Sequence, residues 1–288
     1  MAKKTKQLNA FTLAEGSHRL LLNGDEGTLG SPHLVKSAFT LAEVLITLGV
    51  IGVVAAMTLP TLIHNYQVKQ WETGLKRSYN ILSNGFKKVM SDTGCVDLIC
   101  TGIFVPNGTN TKNTESPEFN EQMESVAKKV FNVKKVCKLG TTDAECPREY
   151  TINYLKGSGT TVLKAEKTFS MQLADGTFVY IENWGCKGNY ERRDCAYLLI
   201  DLNGYKKPNT YGKDFFALGF LKSDGSIIPN YSLYASQVFG PGHKYWRDDP
   251  KFCGNVDVKL KDDMQNIING YGCLARIMEN NWEMDYLK

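Results

Sequence analysis

The sequence predicts an α+β protein: a long N-terminal helix, membrane-spanning over its first part, packed on an antiparallel β-sheet head held by disulfides. Three observations predict it. One apolar run, Val44 to Ile63, holds 20 residues without a charge, and about 20 is the length a helix needs to cross a bilayer core. Helical periodicity continues beyond that run, and a period of two with tight turns takes over from Thr168. All eight cysteines (Cys95, Cys100, Cys137, Cys146, Cys186, Cys195, Cys253 and Cys273) follow the run. That distribution suits a domain folded in an oxidising compartment.

The whole chain has 288 residues and a formal charge of only +4, with no long basic run. Electrostatics therefore give no case for nucleic-acid binding. Residues 1–38 carry five Lys or Arg (Lys3, Lys4, Lys6, Arg19, Lys36) against three acids (Glu15, Asp25, Glu26). The excess favours a cytoplasmic leader and places the cysteine-bearing domain outside.

The leader contains a duplication. Residues 10–15 read Ala-Phe-Thr-Leu-Ala-Glu, and residues 38–43 repeat them. The first copy continues as Gly16-Ser17-His18-Arg19, which cannot enter a membrane. Residues 1–38 are expected to form no fold and to be removed. The apolar run is longer than the core of a secretory signal, and His64-Asn65-Tyr66-Gln67 after it offers no small-residue cleavage site.

The segment Ser37-Ala38-Phe39-Thr40-Leu41-Ala42-Glu43 resembles the processing site of type IV prepilins and type II secretion pseudopilins. The resemblance implies cleavage by a prepilin peptidase between Ala38 and Phe39, with methylation of the new N-terminus. Counted from Phe39, Glu43 falls fifth, Gly52 fourteenth and Pro60 twenty-second, as in that family. Ala38 departs from the usual Gly before the cut. The resemblance further implies that Glu43 pairs with the Phe39 amine of a neighbouring subunit during assembly. The alternative places Glu43 at headgroup level, favoured by the helix N-terminus. Pro60 should kink or open the helix, with the Thr58 or Thr61 hydroxyl compensating.

Residues 64–90 are expected to extend the helix into water. Trp71, Leu75, Leu82, Phe86 and Val89 recur on one face, with Lys69, Lys76, Arg77, Lys87 and Lys88 largely between them. Residues 91–288 form the external head. Residues 91–117 read as loop, and a short helix follows with Met123, Val126, Val130 and Val133 inward. Phe169–Leu173 and Phe178–Ile181 flank Ala174-Asp175-Gly176-Thr177, a hairpin signal. Ala196–Ile200 reads as a wholly apolar strand. Phe215–Leu221 and Ser226–Ile228 flank a second turn, Ser223-Asp224-Gly225. These five strands imply an antiparallel sheet laid on the long helix, the pilin-like arrangement.

Eight cysteines allow about a hundred pairings; the simplest joins sequential neighbours, 95–100, 137–146, 186–195 and 253–273. Zinc is disfavoured, because there is no C-x-x-C pair and only His64 and His243 follow the cut. The stretch Asp201-Leu202-Asn203-Gly204-Tyr205-Lys206-Lys207-Pro208-Asn209, with Gly212-Lys213-Asp214, resembles a segment of pseudopilin-like heads. Asp201, Asn203 and Asp214 offer hard oxygen ligands for calcium, although Lys206 and Lys207 would oppose a cation. The alternative is a turn braced by Asx hydrogen bonds. No other cofactor is expected.

The expected function is structural: a subunit, minor rather than major, of a type IV pilus or type II secretion pseudopilus. It would be single-pass in the bacterial inner membrane before entering a fibre with other pilin subunits. An alternative is a fibre-tip binding module using Tyr231, Tyr234, Tyr245 and Trp246. Catalysis is not expected, since no nucleophile elbow, His cluster or phosphate loop occurs.

Overall fold

The computed structural model describes residues 39–104, 117–138, 141, 146, 149–164, 168–187, 194–204, 206–229, 253, 270 and 272–288. The leader with its first Ala-Phe-Thr-Leu-Ala-Glu copy, Ala38, His243 and the aromatics Tyr231, Tyr234, Tyr245 and Trp246 lie outside the described residues.

One helix, α1, runs unbroken over Leu41–Thr93, 53 residues. The boundary between two compact units, residues 1–53 and 54–288, falls inside it. In the first unit α1 begins with a capping box. Thr40 accepts from the Glu43 backbone N–H through Oγ1, and the Glu43 carboxylate accepts from the Thr40 N–H at 2.8 Å. Its apolar side chains, Val44 to Val53 among them, are exposed. In the second unit exposure continues through Ile63 and Tyr66, and burial begins at Val68.

From there α1 turns one face inward, with Leu75, Leu82, Phe86 and Val89 buried as the spacing predicts. Trp71 is only partly buried. Val68, Glu72, Ser78, Gly85 and Met90 join the buried face instead. Gly85 is required by close approach: a Cβ there would overlap the Phe131 ring. That ring stacks edge-on against Phe86 at 5.3 Å, and Phe104, Phe119 and Phe169 carry the aromatic chain onward to the sheet.

The second helix, α2, spans Pro117–Val130. It is shorter than its apolar spacing suggests: Asn132 takes a positive φ of 48°, and Val133 opens strand β1 (Val133–Cys137). The remaining strands are β2 (Glu149–Asn153), β3 (Thr160–Lys164), β4 (Phe169–Leu173), β5 (Phe178–Lys187), β6 (Asp194–Asp201), β7 (Asn209–Thr210), β8 (Phe215–Lys222) and β9 (Ile227–Ile228). A six-stranded sheet has the order β1-β4-β5-β6-β8-β9, every pair antiparallel. A second sheet, β3-β2-β7, includes one parallel pair, β2 with β7.

Both predicted hairpins form. Gly176 takes φ 98° in the first, a conformation that a Cβ would oppose. The apolar run in β6 is explained by burial on both faces. Ala196, Leu198 and Ile200 pack with α1, while Tyr197 and Leu199 join Tyr180, Phe215 and Ile152 in a second core. Four disulfides join Cys95–Cys100, Cys137–Cys146, Cys186–Cys195 and Cys253–Cys273, the sequential order. A third helix, α3 (Cys273–Glu279), and a 3-10 turn at Asp285–Leu287 close the described fold. Neither they nor β2 and β3 stood out in the sequence.

Candidate functional site

Two sets of residues carry chemistry. The first is the start of α1. Phe39 is 85 % exposed, with Glu43 one helical turn beyond it. Glu43 Oε2 accepts from both the Thr40 N–H and the Thr40 hydroxyl, each at 2.8 Å. The carboxylate is therefore already satisfied within its own chain through one oxygen. Thr40-x-x-Glu43 is legible as a capping box, and Thr40 is the partner that the reading of Glu43 passed over.

A Cβ added at Gly52 would meet nothing within 4 Å. α1 passes through Pro60 without a break. Pro60 deprives the Ala56 carbonyl of its usual donor. The Thr58 hydroxyl does not replace it, for it donates to Val54 O at 3.0 Å. α1 contains an 18-residue apolar stretch of which none is buried. By length and composition it qualifies as a single membrane span.

The second set lies where β6 ends and β8 begins, on the turn between them. β6 and β8 pair Asp201 with Phe215, which sets Asp201 beside Asp214. Both are buried, Asp201 completely. Asp201 Oδ1 accepts from the Asn203 N–H at 3.1 Å, the Asx turn anticipated for this stretch, and Oδ2 from Asn209 Nδ2 at 3.3 Å. Asp214 Oδ1 accepts from the Thr210 N–H at 2.7 Å and Oδ2 from Asn203 Nδ2 at 2.7 Å. The Lys207–Pro208 peptide is cis, and Lys206 and Lys207 are exposed.

An Asx-braced turn leaves part of this arrangement unexplained. Desolvation pushes the Asp201 carboxyl up to about 8, with the Asp214 charge adding to it. Desolvation raises Asp214 as well. Among the described residues the side-chain oxygens of Asn203 and Asn209 have no hydrogen-bond partner, although both atoms are buried. Two buried carboxylates beside two orphaned amide oxygens form an acceptor-rich cluster, and the Lys213 charge only partly offsets the rise at Asp214. Turning either amide about its last bond points Oδ1 to where Nδ2 now donates.

Oxygen donors of this kind are those a hard cation such as calcium takes, and Asp201, Asn203, Asn209 and Asp214 could hold one. It differs from a transition-metal site. Among the described residues no three His, Cys, Asp or Glu side chains converge, and this cluster reaches four donors only through its asparagines. Asn209 was visible in the sequence segment, but its burial was not.

The fold and these sites define a class: a disulfide-bonded α+β protein with, among the described residues, one helix long and apolar enough to span a membrane. No family model, curated protein or solved structure matches the chain.

Proposed function

We propose that the chain is a structural subunit, minor rather than major, of a type IV pilus or type II secretion pseudopilus. One observation carries this reading. A single unbroken helix leaves its first 20 apolar residues, Val44 to Ile63, without burial, while its continuation supplies the core of the head. A plain membrane anchor needs no such continuity. A helix that lies first in a bilayer and then among copies of itself does.

The Phe39 motif supports the same reading, with a prepilin peptidase cutting at Ala38–Phe39. Cleavage would create an amine beside the Thr40–Glu43 capping box. The neighbouring subunit's amine then competes with Thr40 for the carboxylate, a charged donor replacing neutral ones. Mass spectrometry of the membrane-extracted protein tests the proposal. A methylated N-terminal Phe39 is expected; an intact Met1, or a cut after residue 63, overturns it.

We infer that the head also holds calcium at Asp201, Asn203, Asn209 and Asp214. The orphaned asparagine oxygens beside two buried carboxylates favour this reading over the turn alone. The ion would neutralise the carboxylates and complete the asparagine oxygens. Calorimetry of the full chain in detergent is expected to give calcium-dependent heat that an Asp214→Asn variant loses. No heat at millimolar calcium rules the site out.

A further inference from the structure

The segment that follows α3 returns to α1 at the point where its apolar stretch ends. His64 Nε2 donates to the Leu287 carbonyl at 2.7 Å. The buried Glu72 Oε1 accepts from the Met284 N–H at 2.8 Å. Tyr79 packs on Trp282 with ring centres 5.2 Å apart. Trp282–Lys288 is thereby strapped along α1 from residue 64 to residue 79. Ile63, the last residue of the apolar run, is 53 % exposed, and His64 is one helical rise of about 1.5 Å beyond it.

We propose that Leu287 and Lys288, together with Tyr66 and Lys69 of α1, form a collar against the phospholipid headgroups where the helix leaves the bilayer. This rests on the membrane reading of Val44–Ile63. If Ile63 lies at the edge of the hydrocarbon, whatever is hydrogen-bonded to His64 lies at nearly the same depth. The interfacial zone is about 5 to 8 Å thick on each side of the core. A helix tilt of about 20° shifts a flanking contact by only about 2 Å. Leu287 and Lys288 therefore stay within the zone, whereas Met284, bonded to Glu72 nine residues past Ile63, lies about 13 Å beyond that residue.

The collar's chemistry fits that depth. Tyr66 is 64 % exposed and stands three residues past the run, the position of interfacial aromatics. Lys69 and Lys288 are exposed, and each ammonium gives one donor to an acid and keeps two that can reach lipid phosphates. The acids nearby are already paired: Glu283 with Lys288, Glu72 with Lys69 and Asp285 with Arg276. No bare carboxylate side chain among these faces the phosphates.

All eight cysteines are in disulfides, so one added cysteine can be spin-labelled alone. The full chain is placed in phosphatidylcholine–phosphatidylglycerol vesicles with a nitroxide at Lys288→Cys, Val54→Cys or Thr160→Cys. Collision with oxygen and with a water-soluble nickel chelate reports depth. Val54→Cys should favour oxygen, and the exposed Thr160→Cys on β3 should favour nickel. The Lys288→Cys label should read within about 5 Å of the phosphate level.

If Lys288→Cys matches Thr160→Cys while Val54→Cys sits in the bilayer, the collar is wrong and the membrane span stands. If Val54→Cys reads as water-exposed, the span itself fails. A Lys288→Cys label shielded from both reagents would mean that protein covers the segment, which also overturns the collar.

Discussion

Asp201 sits where its surroundings oppose a negative charge. Its carboxyl is pushed to about 8 by burial and by Asp214, against 3.8 for an ordinary aspartate. The folded chain therefore holds a proton that the unfolded chain releases near pH 4. The stability this proton confers is fully present below about pH 4 and is lost as pH rises through about 8. Thermal unfolding in a chelator should show Tm falling over that window, by the equivalent of a few kcal/mol. Calcium binding needs the carboxylate and should tighten over the same window, reversing the loss. Asp201→Asn removes the charge at constant shape. Its Tm in chelator at pH 8 should exceed that of the parent, and it should not respond to calcium. If the two proteins unfold alike at every pH, the electrostatic reading of this residue is wrong.

Among the elements, α1 serves two environments, and its composition changes where they meet. Up to Ile63 nearly every side chain is exposed; beyond Val68 a single face is buried. Substitutions should divide the same way. Phe86→Ala opens a cavity among Phe104 and Phe131 and should cost about 3 to 5 kcal/mol in chemical denaturation of the head. Met57→Ala, at 73 % exposure, should change that stability by no more than about 0.5 kcal/mol. The disulfides differ in the same graded manner. Cys253–Cys273 closes a separation of 20 residues and Cys95–Cys100 one of 5. Replacing the first pair by alanine should destabilise by about 1 kcal/mol more than replacing the second, because the longer loop restricts the unfolded chain more. Equilibrium denaturation under non-reducing conditions compares them.

At the scale of the whole molecule, folding and assembly use different parts of the chain. Among the described residues the Glu43 carboxylate hydrogen-bonds with Thr40 alone. Glu43→Val should leave the protein membrane-extractable, with all four disulfides and an unchanged head Tm. It should nevertheless fall out of sheared fibres by at least tenfold, since removing an ion partner at an interface costs several kcal/mol. Retention in fibres at the parental level would assign Glu43 to helix capping alone.

Much of this architecture was legible locally. A charge-free run of 20 residues, a helical period from Leu75 to Val89 and alternation around Asp175-Gly176 each depend on neighbours within a few positions, which sequence displays directly. The strands β2, β3 and β7 were not legible. Two-residue β7 exists because it meets β2 57 positions away, and no local pattern reports such a partner. The same limit applies to the site. Asp201, Asn203 and Asp214 could be singled out as oxygen donors from their spacing. Tertiary structure alone decided that Asp201 is wholly buried, that Asn209 joins it and that two amide oxygens are left without donors. Glu72 is the plainest case: an acid at helical spacing belongs in water until the Met284 backbone N–H arrives from 212 residues away. Periodicity is a property of the chain, whereas burial and hydrogen-bond satisfaction are properties of what the chain is folded against.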